Sequence, residues 1–150
     1  MRVKYLTLLS LALFATAILA QEGYPIEIVK IETKDLAGVP KTTFARGEIV
    51  VVETELYGRP EAYYYPPEGV SYLEIIEMFY GARVIGLTLT RDAITAGETK
   101  IFGGGISTRV TDPTGTYTVE VYVWNGFPSE MGAAWSALAE MGTTTITVTP

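Results

Sequence analysis

The strongest constraint on the fold is the strict alternation of side chains along residues 116–124 (TYTVEVYVW). Tyr117, Val119, Val121 and Val123 would face one way, and the residues between them would face the other. A period of two is typical of a strand with one buried face. A chain built from such segments must stack one sheet on another to bury those faces.

Other segments carry the same signal. Residues 48–57 (EIVVVETELY) alternate, with Glu53 and Glu55 on the polar side. Residues 25–33 and 143–149 are rich in β-branched side chains and predict the first and last strands. Short segments separated by regular turns predict an all-β, antiparallel sandwich of about seven to eight strands.

Residues 71–80 (SYLEIIEMFY) fit two structures. Ser71 and Glu74 form a capping-box pattern, which is typical of a helix start. A turn at residues 81–82 would instead make the segment one arm of a hairpin with residues 83–90. We favour the hairpin because the surrounding segments are strands.

Glycine and proline mark the connections. Residues 91–97 (RDAITAG) predict a turn. Residues 103–105 are three glycines, which predict a bend or bulge after a short strand at 98–102. The long connection before the last strand is compatible with a short helix near 129–140, capped by Ser129.

The first twenty residues have the layout of a secretory signal peptide. Arg2 and Lys4 precede an unbroken apolar run, and small residues close it. Cleavage after Ala17 or after Ala20 fits this layout equally well. We expect residues 21–150 to be the mature domain, secreted to the extracellular space or the cell surface.

A retained membrane anchor is the alternative for this segment. The apolar run of sixteen residues would span roughly 24 Å as a helix, short of the ~30 Å hydrocarbon core. A pilin-type amphipathic stem is a second alternative, but its helix would have to continue past residue 20, where Gly23 and Pro25 would end it at once. We therefore expect no membrane span after processing.

Composition excludes several classes of function. The chain has no cysteine and no histidine, so thiol catalysis, Cys/His zinc sites and Ser–His pairs are ruled out. Without the first twenty residues, 9 basic residues face 17 acidic ones, a charge of −8. Such a domain repels nucleic acid and anionic lipid. The near absence of Asn and Gln suggests a thermophilic archaeon or bacterium.

Carboxylates are plentiful but do not form a catalytic pattern. Pairs such as Glu53/Glu55 and Glu74/Glu77 are expected on solvated strand faces. A loop that carries Asp112 or Asp92 is conceivable as a calcium site, but the sequence has no D-x-D-x-D run. We expect no catalytic residues, no cofactor and no metal, hence no enzyme.

Residues 112–117 (DPTGTY) resemble the D-x-x-G-x-Y entry to the sixth strand of immunoglobulin-like and fibronectin-type-III-like domains. In those families the tyrosine forms a tyrosine corner, in which its hydroxyl bonds to the nearby turn. The resemblance therefore implies structural roles for Asp112, Gly115 and Tyr117.

Two further segments are similar to exported archaeal and bacterial domains of this kind. Residues 38–48 look like the loop before their second strand, with Phe44 filling the core from that connection. Residues 95–98 look like the turn before their fifth strand. The resemblance implies an immunoglobulin-like sandwich over about residues 26–149.

The loop at residues 57–67 (YGRPEAYYYPP) is the first candidate binding surface. Prolines stiffen it, and tyrosine supplies large amphipathic contacts at low entropy cost. Its candidate contact residues are Tyr57, Arg59, Tyr63, Tyr64 and Tyr65. The alternative is that these rings cap an open end of the sandwich.

Tyr122 and Trp124 are the second candidate, because alternation places them on the outer side of the strongest strand. They would contact a partner there. Alternatively, the long connection that follows, with Met131 and Trp135, folds over them.

Two functions of different classes fit these observations. The first is a non-enzymatic cell-surface or extracellular filament protein, structural or adhesive, in which residues 21–33 complete a neighbour's sheet. Its partners would be further copies or other surface proteins. The alternative is a binding module for carbohydrate or protein, including a protease-inhibitor-like one, that uses the loop at 57–67.

Overall fold

Eight strands stack as two sheets in the computed structural model, which describes residues 23–61 and 65–150. The predicted signal peptide, residues 1–20, lies outside the described residues. In chain order the strands are β1 (Ile26–Lys34), β2 (Thr43–Ala45), β3 (Ile49–Gly58), β4 (Val70–Tyr80), β5 (Arg83–Ile94), β6 (Thr99–Ser107), β7 (Gly115–Trp124) and β8 (Gly142–Thr149). The order is β1-β3-β6 in the three-stranded sheet and β2-β8-β7-β4-β5 in the five-stranded sheet. The predicted all-β, immunoglobulin-like sandwich is confirmed.

The alternation in the sequence sets the inner face of each sheet. On β7, Tyr117, Val119 and Val121 are fully buried, and on β3 Val52 and Leu56 are buried in the same way. These side chains meet between the sheets and form the core. All strand pairs are antiparallel except β2 with β8, which is parallel.

Tyr117 makes the corner contact that the family resemblance implied. Its hydroxyl donates a hydrogen bond to the Pro113 carbonyl at 2.6 Å. The Asp112 carboxylate accepts a bond from the backbone N–H of Arg109 at 2.8 Å, which closes the turn. Gly115 has a φ of 134°, a conformation that side-chain-bearing residues rarely adopt. The turn thus holds the start of β7 in place.

Phe44 fills the core as predicted, but from a strand rather than from a loop. It is buried, and it lies in β2 opposite Val148 of β8. The Thr149 hydroxyl donates to the Phe44 carbonyl at 3.2 Å. The short parallel pairing adds an edge strand to the five-stranded sheet.

β4 and β5 form the predicted hairpin, with residues 81–82 in the turn. Pairing continues to Val70 opposite Ile94, so the predicted turn at residues 91–97 is wrong in its first half. Ile94 is fully buried at the end of the sandwich, and its burial holds the backbone in the strand. The chain turns only afterwards, at Gly97, whose φ is 76°.

The three glycines at 103–105 do not form a bend or bulge, and that prediction is wrong. They lie inside β6, which pairs with β3 without a register shift. A Cβ on Gly104 would lie 2.3 Å from the Cγ2 atom of Thr88 on β5, and one on Gly86 would lie 2.7 Å from the Cγ2 of Ile106. The glycines therefore let the edges of the two sheets approach closely.

The long connection contains the short helical segment expected there. Helix α1 (Pro128–Met131) is followed by a 3₁₀ turn (Gly132–Ala134), and the rest is irregular. Ser129 is not the cap, because the helix starts one residue earlier and its N-cap is Phe127. Among the described residues, no helix is long and apolar enough to cross a bilayer.

Candidate functional site

The outer face of the five-stranded sheet displays aromatic side chains. Tyr122 and Trp124 point outward on β7 because the valines between them face the core. Across the pairing with β4, Trp124 lies opposite Leu73 and Tyr122 lies opposite Ile75. Both of these β4 residues are buried although they also face outward, so the rings lie over an apolar floor.

Trp135 extends this row of rings. The side chain of Asn125 accepts a bond from the Ser136 N–H at 2.9 Å and donates one to the Ala134 carbonyl at 2.7 Å. Ala134 and Ser136 are the chain neighbours of Trp135, so these two bonds fix the backbone on both sides of it. Its ring meets that of Trp124 edge to face, with centroids 5.3 Å apart and an interplanar angle of 82°.

We call Tyr122, Trp124 and Trp135 the aromatic platform. The rings of Tyr122 and Trp124 are 5.6 Å apart and tilted by 54°. Trp135 covers one flank of Trp124, as the alternative interpretation of the sequence anticipated, yet its own side chain is 39 % exposed. The long connection therefore enlarges the aromatic surface instead of hiding it.

Carboxylates border the platform. The hydroxyl of Tyr122 donates to Glu120 on the same strand, and this bond, with burial, raises the pKa of Tyr122 to about 12. Glu120 lies directly opposite Glu77 of β4. Two like charges directly opposite each other on a strand pair repel each other.

The same face carries hydroxyl groups on one side and aliphatic groups on the other. In the pairing of β7 with β8, Thr116 and Thr118 lie opposite Thr147 and Thr145. Towards β5, Leu87 and Leu89 are 51 % and 44 % exposed. The platform thus lies between a threonine strip and an apolar edge strand.

An ion pair connects the edge strand to the long connection. Both guanidinium–carboxylate contacts between Arg91 and Glu130 are short, at 2.6 and 2.7 Å. The guanidinium also lies 5.3 Å from the ring centroid of Phe127. These contacts connect α1 to β5 beside the platform. The bonds from Arg91, followed by the bond from the Phe127 N–H, lower the pKa of Glu130.

The tyrosine-rich loop lies elsewhere. Tyr57 is half-buried at the end of β3, and Tyr63 and Tyr64 fall outside the described residues. The hydroxyl of Tyr65 donates to the Pro25 carbonyl, and burial raises its pKa. The observed contacts therefore tie Tyr65 to the start of the first strand.

Arg59 forms an ion pair with Glu61 at 3.2 Å. It also lines an open cleft of about 450 Å³ together with Tyr24 and Met141. This cleft lies beside β1 of the three-stranded sheet, whereas Tyr122 and Trp124 lie on β7 of the five-stranded sheet. Of the loop candidates that the structure describes, Tyr57 and Arg59 therefore belong to a different part of the sandwich from the aromatic platform.

Glu74 does not lie on the solvated face that the sequence predicts for it. It is fully buried, and its carboxyl group is hydrogen-bonded to Thr54 of β3. Burial raises its pKa to about 7, while the bond from Thr54 acts in the opposite direction. The period of two along β4 is the signal that could have placed it in the core. Glu74 precedes the core residues Ile76 and Met78 by two and four positions, so all three side chains face the same side of the sheet.

In the part of the chain that the structure describes, no three acidic side chains converge. Asp112, weighed for calcium, bonds instead to a backbone N–H of its own turn and lies 3.4 Å from Arg83.

No protein-family model matches this sequence, and no curated protein matches it. Among solved structures, the C-terminal domain of wzt matches with a TM-score of 0.65 and 12 % identity, covering 86 % of this chain and 76 % of that one. The β-glucuronidase of Bacteroides uniformis matches at 0.58 and 10 %, covering 81 % and 14 %. A Paenibacillus sp. cycloisomaltooligosaccharide glucanotransferase complexed with cycloisomaltoheptaose matches at 0.54 and 13 %, covering 82 % and 14 %.

This chain therefore spans only a small part of the two last proteins. At such low identities the likenesses concern the fold alone. What they establish is that the chain has the fold of an immunoglobulin-like β-sandwich.

Proposed function

We propose that this chain is a non-enzymatic binding module whose aromatic platform takes a carbohydrate. The observation that carries the proposal is the row of Tyr122, Trp124 and Trp135 on the outer face of the five-stranded sheet, with both ring contacts under 6 Å. Aromatic faces stack on the apolar C–H faces of sugars, and few other surface groups do so.

The polar groups around the platform support the same class of ligand. A sugar hydroxyl can donate to Glu77 or Glu120 and so relieve the repulsion between these carboxylates. The exposed threonines of β7 and β8 offer further donors and acceptors. Two solved proteins in which 14 % of the chain matches this fold are, by name, a glucanotransferase and a glucuronidase. We therefore place carbohydrate before protein as the ligand.

The charge of the domain narrows the choice of glycan. Glu77 and Glu120 lie at the platform, and the mature chain carries an excess of acidic residues. Uronate or sulfated chains would meet like charge there, whereas neutral or amino-sugar chains would not.

The test is an affinity electrophoresis screen in gels that contain neutral glucan, amino-sugar polymer or uronate polymer. We expect retardation by one of the first two, and loss of it in Trp124→Ala. The matched control is Tyr57→Ala, an aromatic residue on the outer side of the other sheet. Retardation that survives Trp124→Ala but fails in Tyr57→Ala would move the site to the tyrosine-rich loop.

Assembly through the first strand is the second candidate function. β1 is an edge strand, and its Ile26 is buried in the core beside Leu138. A Cβ on Gly142 would lie 2.6 Å from the Cδ1 of Ile31, so β1 fits closely over β8. A strand with such contacts could be donated to a neighbouring copy, giving a surface filament.

Light scattering and electron microscopy of the mature protein test this assembly. Filaments or concentration-dependent oligomers would support it, and they should vanish when residues 21–33 are removed. A strictly monomeric protein at millimolar concentration contradicts it.

We also propose that the protein is exported and acts outside the cytoplasm. The support is the basic, apolar and small-residue layout of the first twenty residues. Mass analysis of the protein recovered from culture medium or envelope should show a mature terminus at residue 18 or 21. An intact Met1 terminus in the cytosolic fraction would contradict export.

A further inference from the structure

Glu74 is a carboxyl group sealed inside the sandwich. It lies on the inner face of β4, between Tyr72 of one core cluster and Ile76 of the other. Thr54 occupies the matching level of β3, and both residues are fully buried. The pair thus forms a polar bridge between the two sheets where the two apolar clusters meet.

The hydrogen bonds of this pair are incomplete for a carboxylate. Thr54 Oγ1 lies 2.5 Å from Glu74 Oε1 and 3.4 Å from the Phe102 carbonyl, but a hydroxyl has one hydrogen to donate. Glu74 Oε2 has no partner among the described residues. A protonated Glu74 can donate to Thr54, which frees the Thr54 hydrogen for Phe102. The protonated form therefore satisfies more groups than the ionised form.

Among the described residues, no cation pairs with the carboxyl group of Glu74. In the strand pairing its neighbours are Thr90 of β5 and Val123 of β7. Tyr72 lies two residues from Glu74 on the same face, and its pKa is raised by burial and then by the nearby carboxylates, among them Asp92 of β5 and Glu98 before β6. Both of these carboxylates form ion pairs with Lys100 of β6. Burial is therefore the cause that raises the pKa of Glu74 itself.

The aromatic platform lies on the other side of the same strand. Leu73 and Ile75, which flank Glu74, are paired with Trp124 and Tyr122. A change in how β4 sits against β3 is therefore transmitted to the floor beneath the rings.

We propose that the Glu74–Thr54 pair is a proton-sensitive lock between the two sheets. With the proton in place, the pair links β4 to β3 and holds the platform in the described geometry. When the proton leaves, an uncompensated buried charge loosens β4 and the rings above it. The lock acts whether or not the platform binds carbohydrate, so it stands apart from the proposed function.

The direction of the pH effect follows from the raised pKa of Glu74. Its folded-state pKa of about 7 exceeds the ordinary value of 4.5. The stabilising contribution is complete below the ordinary value and is lost as pH rises through the folded value. Wild-type protein should therefore lose thermal stability from pH 5 to pH 8, by roughly 10 °C in Tm.

The composition of the chain makes this lock measurable. It has no histidine to titrate near neutrality, and its two tryptophans are Trp124 and Trp135, both in the platform. Tryptophan fluorescence should show an inflection near pH 7 in the wild type. Glu74→Gln should abolish the inflection and flatten Tm between pH 5 and 8, while the control Glu55→Gln, an outer-face carboxyl of β3 next to Thr54, should retain both.

A second variant covers the case in which Glu74→Gln does not fold. The bond from Thr54 favours the carboxylate, so Thr54→Val should move the inflection to higher pH. Carboxyl ¹³C NMR of the wild type should show one glutamate that titrates near pH 7. Glutamates that all titrate below about pH 5.5, or an inflection that persists in Glu74→Gln, would overturn the proposal.

Discussion

The two outer faces of the sandwich differ sharply although both belong to alternating strands. The face of the three-stranded sheet carries ion pairs, with Lys34 bonding to Glu53 at 2.7 Å and to Glu32 at 3.2 Å. The face of the five-stranded sheet carries the aromatic platform and two exposed leucines. Charged pairs on a flat face keep it solvated, whereas a row of rings costs solubility. The row of rings is the reason for proposing the five-stranded sheet as the binding face.

The largest effect should come from the place where the two sheets press together. Gly104→Ala puts a methyl group into Thr88 and should destabilise the fold by about 3 kcal/mol. Gly103→Ala is the matched control, because a Cβ there meets open space on the outer face. It should be neutral or slightly stabilising. Urea unfolding measures both, and equal losses would refute the close approach of the sheets at β6.

Trp124→Ala tests how far the platform also supports the fold. We expect a loss of about 2 kcal/mol in unfolding free energy, since a half-buried indole over Leu73 is removed. Glu53→Ala, on the opposite outer face, should change stability little because its ion pair is solvated. If Trp124→Ala is equally silent, the ring is held by no packing and the platform is not preformed.

Asn125→Ala isolates the position of Trp135. The two side-chain bonds that fix the long connection are lost, and we expect about 1 kcal/mol of destabilisation. Near-ultraviolet circular dichroism should lose the signal of the Trp124–Trp135 contact. Retention of that signal would mean that Trp135 is held by other contacts. Glycan binding should fall less than in Trp124→Ala, because one ring contact remains.

The smallest effect should appear on the charged face at low pH. The bonds from Lys30 and Lys34 lower the pKa of Glu32, so the stability they add is present above the ordinary pKa of 4.5 and is lost as pH falls. Lys34→Met should reduce the acid-side loss of Tm slightly, and about 1 M salt should remove the difference. Thermal stability would then fall at acid pH as the ion pairs of the three-stranded sheet are lost, and near neutral pH as Glu74 loses its proton.

The pattern of neighbouring residues was sufficient to predict much of the fold. The alternation in β3 and β7 placed their inner residues correctly, and the DPTGTY segment located the corner at Tyr117. The hairpin was predicted over residues 71–90 because a turn signal at residues 81–82 stood between two apolar segments, and the structure extends its pairing to Val70 and Ile94. Each of these depends on neighbours in the chain, which a sequence displays directly.

Misplaced features depended on distant neighbours. The three glycines at 103–105 predict a bend from the sequence alone. Their actual role depends on Thr88, which packs against Gly104 from the other sheet. Ile94 extends β5 because it is buried by other strands. The role of Asn125 as a clamp on Trp135 requires the path of the long connection, which has no periodic signal.

The sequence by itself determined that this chain is a two-layer β-sandwich without histidine or thiol chemistry, because period and composition are local properties. Tertiary structure alone decided that Trp135 joins Trp124 in one platform and that Glu74 is sealed beneath it. Strand parity tells which side of a sheet a residue occupies. What lies against that side is decided by packing between segments far apart in the chain, and burial of a charge follows from that packing.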